Sequence, residues 1–245
     1  FLIKSSIEIL RTFFVYIGFI LRIRLIFKHT NVLYLMQEIS PYKKEELLNT
    51  LSHGIGILLG LFGFYFLLDK NSAKSEYAVL GICIYSFSIL LLYSASTLYH
   101  AIANPSLKKK FRIVDHISIY FLIAGTYSPV ALISLVYGNG WTLFTVVWSI
   151  AFFGTILKLF FTGRFEIVSL LLYLVMGWLI VFDFQNLIVA TSPLGINLLM
   201  LGGGFYTVGI LFYAIRKIPY NHFIWHLFVL GGSISHWLFI YLDVV

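Results

Sequence analysis

The sequence predicts an all-α membrane protein, a polytopic bundle of seven transmembrane helices. Two observations carry this prediction. Hydrophobic residues make up 60% of the 245 residues and charged residues only 11%, whereas a soluble domain carries roughly 25% charged residues. The apolar residues also fall into seven runs, each of about the 20 residues that a helix needs to cross a bilayer. Lipid is therefore the expected solvent for most of the protein surface.

The seven apolar runs are separated by short polar segments. They cover residues 49–68, 77–100, 113–136, 140–161, 166–184, 193–215 and 222–243. Residues that end or begin helices stand in the gaps, as at Asn104-Pro105, Gly138-Asn139-Gly140, Ser192-Pro193 and Pro219. Because no long linker divides the runs, residues 41–245 are predicted to form one seven-helix domain.

Residues 1–40 combine a short apolar run with basic flanks. The apolar core at 12–21 is too short to span a membrane. Basic residues surround it, namely Lys4, Arg11, Arg22, Arg24 and Lys28. A basic and apolar segment of this kind is typical of a membrane-surface helix or a targeting segment, and an eighth span is the alternative. We expect an extra N-terminal helix that is interfacial or serves targeting.

The basic residues of the loops predict the orientation of the bundle. If residue 48 lies in the cytoplasm, ten Lys and Arg side chains after residue 40 fall on the cytoplasmic side and only Lys70 and Lys74 on the other. Positive residues concentrate in cytoplasmic loops of membrane proteins. The domain is therefore predicted to begin inside the cell and end outside. The net charge of +7 belongs largely to these loops, so it does not indicate nucleic-acid binding.

Polar residues gather at the predicted cytoplasmic ends of four helices that are far apart in sequence. These residues are Glu46, Asn49, Ser52 and His53 at the first helix, Ser96 and His100 at the second, Asp115 and His116 at the third, and His222 and His226 at the seventh. Ionisable groups inside a membrane are costly and mark functional sites by default. The outer halves of these helices carry almost nothing ionisable beyond His236. The sequence thus predicts one functional site at the cytoplasmic face.

The spacing of the histidines suggests a metal ion at this site. His222 and His226 stand four residues apart, so both rings project from one helix face and can bind one ion. The single cysteine, Cys83, excludes a thiolate cluster, and imidazole ligands suit zinc or another borderline metal. Three neutral imidazoles with one open position are typical of catalytic zinc. Asp115 is the candidate for orienting a water molecule and moving its proton.

Simpler interpretations remain open for several of these residues. A histidine at a helix end is often only an interfacial polar residue, which applies to His116. His53 either completes a network with Asn49 and Glu46 or contacts the site directly. Asp115 either serves the site or forms a surface ion pair with Arg112, three residues earlier on the helix. The combination of motifs, rather than any one of them, favours the metal site.

The same motifs resemble the hemolysin III family, the bacterial-type branch of the progestin and adipoQ receptor superfamily. The resemblance covers residue 44 to the C-terminus. It rests on Glu46-x-x-Asn49-x-x-Ser52-His53, on Ser96-x-x-x-His100, on Asp115-His116 with Ala124-Gly125-Thr126-Tyr127-Ser128-Pro129, and on His222-x-x-x-His226 with His236. It implies seven helices and an intramembrane zinc ion near the cytoplasmic face. By motif, His100, His222 and His226 are the zinc ligands, Asp115 holds the water and Ser96 lies beside it.

Three functions follow from the residues and the resemblance together. The first is a zinc-dependent hydrolase of an amide or ester bond in a membrane lipid, since the receptor-type relatives resemble amidases of ceramide-like lipids. The second is a pore-forming cytolysin, which the family name favours although the helices lack a polar stripe through the membrane. The third is a receptor for a small lipid in which zinc is structural. The substrate, the oligomeric state and the home membrane do not follow from the sequence.

Overall fold

The computed structural model describes residues 40–245, and seven helices within this range are long and apolar enough to cross a membrane. They are α1 (Pro41–Lys70), α2 (Ala78–Ala101), α3 (Pro105–Ser134), α4 (Gly140–Phe161), α5 (Glu166–Ala190), α6 (Pro193–Ala214) and α7 (Asn221–Val244). The predicted fold class and number of spans are confirmed. The predicted N-terminal interfacial or targeting helix falls almost wholly on residues 1–39, which lie outside the described part of the chain.

Two helices begin earlier than the apolar runs that predicted them. The α1 helix starts at Pro41 instead of residue 49, and α3 starts at Pro105 instead of residue 113. In α3 the side chain of Asn104 accepts hydrogen bonds from the backbone nitrogens of Ser106 and Leu107, at 3.0 and 3.1 Å. This cap and a proline in the first turn fix the start of the helix. Hydropathy detects only the membrane-embedded part of a helix, so these polar first turns were not included in the predicted spans.

One face of α1 carries small and polar residues towards the rest of the bundle. The buried residues of this helix are Asn49, Ser52, His53, Gly56, Gly60, Gly63 and Leu67. A side chain at Gly56 would collide with the ring of Tyr93 on α2, and one at Gly63 would collide with Trp237 on α7. Small residues let membrane helices approach closely. The glycines thus hold α1 against α2 and α7, with its polar residues at the same end as the histidines.

The α2 and α3 helices pack against each other more extensively than the other pairs, followed by α6 with α7 and α3 with α4. At one contact Gly125 of α3 lies against Ser88 of α2, and at another Gly81 of α2 lies against the backbone of Pro129. After Pro129 the α3 helix changes to a wider turn over Val130–Ser134. A proline removes a helical hydrogen bond and clashes with the preceding turn, which explains the change. These contacts set the position of α3, and with it Asp115, relative to α2.

The α5 helix is broken in the middle of its span. It is α-helical over Glu166–Gly177, forms a 3₁₀ turn over Leu179–Asp183 and resumes over Phe184–Ala190. The hydroxyl of Tyr127 on α3 donates to the carbonyl of Gly177 at 2.9 Å and accepts from the backbone nitrogen of Ile180 at 3.1 Å. Backbone groups freed within a membrane must find partners inside the protein. Tyr127 therefore supplies the partners that this break requires.

Candidate metal centre

Three histidines from two helices meet at one end of the bundle. His100 lies in the last turn of α2, and His222 and His226 lie in the first two turns of α7. Their potential ligand nitrogens all lie within 4.8 Å of one another. The ring centroids are 5.1 Å apart for His100 and His222, 4.9 Å for His100 and His226, and 4.8 Å for the α7 pair. Sequence motifs separated by more than a hundred residues thus form a single cluster that can hold a metal ion.

Hydrogen bonds fix which nitrogen two of the rings present to the cluster. The Nδ1 of His100 lies 3.1 Å from the Glu46 carboxylate, and the Nδ1 of His226 lies 3.3 Å from the backbone carbonyl of Asn49. Carboxylate and carbonyl oxygens accept hydrogen bonds, so a proton on each Nδ1 satisfies these two contacts and leaves each Nε2 a free lone pair. The side-chain amide of Asn49 lies farther from His100 Nδ1, at 3.4 Å. The Nε2 of His100 is buried and has no hydrogen-bond partner within residues 40–245.

The donor set fits a borderline divalent metal such as zinc. Nitrogen ligands at about 2.0–2.1 Å in a tetrahedron are separated from one another by about 3.4 Å. The three nitrogens lie within 4.8 Å of one another, so small rotations of the side chains would bring them to this spacing. A buried imidazole nitrogen without a partner is costly, and a cation between the three rings would provide one. The geometry leaves the identity of the metal open.

His53 lies against the cluster instead of in a hydrogen-bonded network with Asn49 and Glu46. Its ring stacks on that of His226 with centroids 3.6 Å apart and planes within 8°. The ring of Tyr93 meets it edge-on at 5.0 Å. Neither ring nitrogen of His53 has a hydrogen-bond partner in the described part of the chain. Of the two interpretations of His53 from sequence, the geometry favours direct contact with the site.

Asp115 and Ser96 lie beside the histidines on the wall of an internal cavity. Both residues are buried, and the Ser96 hydroxyl faces the Asp115 carboxylate. The surface ion pair considered for Asp115 is replaced by a different one, because Arg112 pairs with Glu166 at 3.6 Å. A carboxylate, a hydroxyl and three imidazoles therefore share one buried region.

The cavity has a polar end at the histidines and a wall that is mainly apolar elsewhere. The polar end includes His53, Ser96, Asp115, His222 and His226. The apolar wall comes from several helices and includes Leu92, Ile119, Leu122, Leu174, Ile210 and Val229. Pockets that are mainly apolar with a few convergent polar groups are typical binding sites for small molecules.

A second ionic cluster lines the same cavity and was not predicted from sequence. Lys158 is almost fully buried and its ammonium lies 2.9 Å from the Glu166 carboxylate. The Nδ1 of His116 lies 3.9 Å from the same carboxylate. Lys158 is one of the ten Lys and Arg residues whose positions predicted the cytoplasmic side. Its position inside the apolar run 140–161 was the available signal, since a lysine within a span calls for a partner.

His236 lies away from the metal cluster. Ten residues of α7 separate it from His226, which corresponds to about 15 Å along the helix. Its Nε2 donates to the backbone carbonyl of Leu199 on α6 at 3.2 Å. The sequence motifs also suggested a supporting polar network of Glu46, Asn49, His53 and His236, and the structure does not bring His236 together with the other three.

Comparison with known proteins places this arrangement in a family. The family model described as "Haemolysin-III related" matches residues 42–237, which include every residue of the cluster. The chain belongs to this family. It is 44% identical to "Hemolysin-3" of Bacillus cereus over 201 residues, which are 81% of this chain and 91% of that protein. It is 45% identical to the "Hemolysin-3 homolog" of Bacillus subtilis (strain 168) over 191 residues, 78% of this chain and 90% of the relative.

A more distant relative extends the relationship to animals. The human "Monocyte to macrophage differentiation factor" is 30% identical over 171 residues, which are 64% of this chain and 69% of that protein. This relationship supports the placement of the haemolysin-III related family within the progestin and adipoQ receptor superfamily. The resemblance drawn from the motifs is thereby confirmed. Family membership and seven apolar helices together make the chain a multi-pass integral membrane protein.

Proposed function

We propose that the protein is a zinc-dependent hydrolase of an amide or ester bond in a membrane lipid. One observation carries the proposal: a largely apolar cavity between the helices ends at His222, His226, a buried carboxylate and a hydroxyl, and His100 completes the histidine cluster beside it. The apolar wall suits the hydrocarbon of a lipid, and the polar end suits the bond to be cleaved. His100, His222 and His226 would hold the metal.

The residues around the cluster have complementary tasks in such a reaction. When bound, zinc would polarise the substrate carbonyl and lower the pKa of a water molecule to about 7. Asp115 is placed to take the proton of the attacking water as the new carbon–oxygen bond forms. It then donates that proton to the leaving nitrogen or oxygen as the scissile bond breaks, giving a carboxylic acid and an amine or alcohol. Ser96 orients the Asp115 carboxylate through its hydroxyl.

The orientation predicted from loop charges supports a lipid substrate. It puts the histidine end of the bundle at the cytoplasmic face, a short distance into the membrane. A lipid whose reactive carbonyl lies at headgroup level and whose tails remain in the bilayer would present that carbonyl at this depth. Ceramide-like amides are the first substrates to test, because the family resemblance implies them.

The proposal predicts zinc-dependent release of fatty acid by the purified protein. The assay uses detergent micelles with a long-chain ceramide and an ester lipid of equal chain length, followed by mass spectrometry. We expect Asp115→Asn to lower the turnover number about 10²–10⁴-fold, since a general acid–base contributes about that much. Asp69→Asn, at an exposed position near the end of α1, is the matched control and should retain wild-type turnover.

Two outcomes of this assay would refute zinc-dependent hydrolysis of these lipids. The first is turnover that persists after complete removal of the metal by a chelator. The second is a zinc-loaded wild-type protein that releases no acid from either lipid. With zinc retained, the second result would favour the lipid receptor with a structural metal.

The name of the Bacillus cereus relative, "Hemolysin-3", supports a second candidate, a pore-forming cytolysin. Large apolar side chains cover much of the surface of the described helices, including Phe62, Phe160 and Phe182, whose exposed fractions are 64, 75 and 89%. A surface of this kind suits lipid contact and offers no polar stripe for an oligomeric pore. Dye release from liposomes distinguishes the two candidates. Leakage that is equal for wild type and His226→Ala would favour the pore over the hydrolase.

A further inference from the structure

We propose that Glu46 is a positioning residue that holds His100 in the orientation and tautomer needed to bind the metal. The α1 helix contributes none of the three clustered histidines, and the proposal explains why its polar face is turned towards them. It rests on the metal site of the proposed function and is independent of whether the site hydrolyses a lipid.

The carboxylate of Glu46 directly contacts the imidazole ring of His100. Its Oε1 lies 3.1 Å from the Nδ1 of His100, and the two side chains are 19% and 2% exposed. The carboxylate is the nearer partner of this nitrogen, and donation to it puts the proton on Nδ1 and leaves Nε2 as the metal-binding atom. Histidines that bind metals commonly donate their other ring N–H to a carboxylate, which fixes the ring and raises its basicity.

Lys108 holds the carboxylate of Glu46 in place. The Lys108 ammonium donates to Glu46 Oε2, to the backbone carbonyl of Tyr99 at 2.9 Å and to that of His100 at 3.4 Å. Lys108 therefore links the carboxylate to the end of α2, the helix that carries His100. A surface ion pair contributes little to stability, but the pair of Lys108 and Glu46 is mostly shielded from solvent. Lys108 fixes one oxygen of the carboxylate, and the other oxygen contacts the ring of His100. The ion pair therefore helps to hold His100 in its orientation.

The α1 helix also supplies hydrogen-bond acceptors to the ring of His226. The Nδ1 of His226 lies 3.3 Å from the Asn49 carbonyl and 3.3 Å from the Ser52 hydroxyl. Glu46, Asn49 and Ser52 follow one another at intervals of three residues, so they lie along one side of the helix. One helix thus supplies acceptors to rings on both α2 and α7. Loss of Glu46 should affect the metal through His100 while the contacts of His226 remain.

The test measures zinc affinity by competition with a chromogenic chelator in detergent. We expect Glu46→Gln, which keeps the size and an acceptor oxygen but loses the charge, to weaken zinc binding about 10-fold. Glu46→Ala should weaken it further, up to about 100-fold, as is typical for loss of an outer-shell partner. Glu76→Gln, exposed in the α1–α2 loop, is the matched control and should bind zinc like the wild type.

A second measurement separates positioning from a general structural role. The thermal midpoint of the metal-free protein should be nearly the same for wild type and Glu46→Gln, while the rise in midpoint on adding zinc should be smaller in the variant. If Glu46→Ala does not fold, Glu46→Gln alone decides. Equal zinc affinity in wild type and Glu46→Gln would overturn the proposal, as would a loss of stability that is the same with and without zinc. A wild-type protein that binds no zinc would instead refute the proposed function itself.

Discussion

At the residue scale, the metal centre depends on which side of its helix each histidine occupies. The spacing of His222 and His226 determines that both lie on one face of α7, so this pair was predictable from sequence. That this face turns towards His100 depends on the rotation of α7 and α2 about their axes. Spacing within one helix carries no information about that rotation. The resemblance to a known family supplied the third ligand, and the geometry now brings all three together.

The first prediction concerns the metal content of the histidine variants. Purified wild type should contain about one zinc ion per chain, and His100→Ala, His222→Ala and His226→Ala should each lose most of it, because three ligands are the minimum for such a site. Elemental analysis of protein from zinc-supplemented medium gives the metal-to-protein ratio. The matched control is His236→Ala, which removes a buried histidine from the same bundle about 15 Å along α7 from His226. Equal zinc in all five proteins would contradict the assignment of the ligands.

His53 shows the limit of sequence reasoning at this scale. Its position near the cytoplasmic end of α1 follows from the apolar run, but two different environments were compatible with it. The choice between them depends on the 3.6 Å stacking distance to His226. That contact requires α1 to lie close to α2 and α7, and the glycines of α1 permit this approach. The residue's environment is thus decided by small side chains elsewhere on its helix.

At the element scale, the break in α5 was not visible in the sequence. The run 166–184 is mostly apolar, with charged residues only near its ends at Glu166 and Asp183, and it predicted a continuous span. At the interruption near Trp178, the hydroxyl of Tyr127 on α3 bonds the backbone groups that the break frees. The sequence of α5 alone does not indicate a partner on another helix. Trp178 itself donates from its indole nitrogen to the Thr207 hydroxyl on α6 at 3.1 Å. Two neighbouring helices therefore hold the break in place, and the break places Gly177 and Trp178 on the cavity wall.

Removal of the Tyr127 hydroxyl should destabilise the broken part of α5. Tyr127→Phe leaves the carbonyl of Gly177 and the nitrogen of Ile180 without their shared partner, at a cost of about 1–3 kcal/mol. We expect a lower thermal unfolding midpoint in detergent, by about 2–4 °C for each kcal/mol in a protein of this size. Tyr137→Phe is the control, because Tyr137 is 92% exposed in the loop after α3. Zinc content should be unchanged in both variants, and an unaltered midpoint for Tyr127→Phe would contradict this account of the break.

At the scale of the whole molecule, hydropathy along the chain determined most of the architecture. The apolar runs are long enough to identify the membrane-spanning helices. Because successive helices cross the membrane in opposite directions, the polar ends of helices far apart in sequence meet at one membrane face. The ion pairs around Glu166 and the pair of Lys108 with Glu46 were missed, because the Lys and Arg residues near helix ends were used mainly to predict orientation. Pairing of side chains between helices depends on their mutual rotation, which composition does not determine.

The orientation of the bundle is the last prediction, and single-cysteine labelling tests it. Cys83 is the only cysteine, so Cys83→Ser gives a cysteine-free background for single substitutions. Lys109→Cys probes the exposed start of α3 near the histidine cluster, and Tyr137→Cys probes the loop at the opposite end of that helix. In intact bacterial cells, a membrane-impermeant maleimide should label Tyr137→Cys and leave Lys109→Cys unlabelled until the membrane is permeabilised.

The bias of ten basic residues against two underlies this expectation, since positive loops remain in the cytoplasm. Inside-out vesicles provide the converse control, in which Lys109→Cys should be labelled first. Labelling of Lys109→Cys in intact cells would place the histidines near the outer face. The metal centre would then have to draw its lipid from the outer leaflet, while the cluster geometry would stand unchanged. The labelling pattern therefore decides which leaflet would supply the proposed lipid substrate.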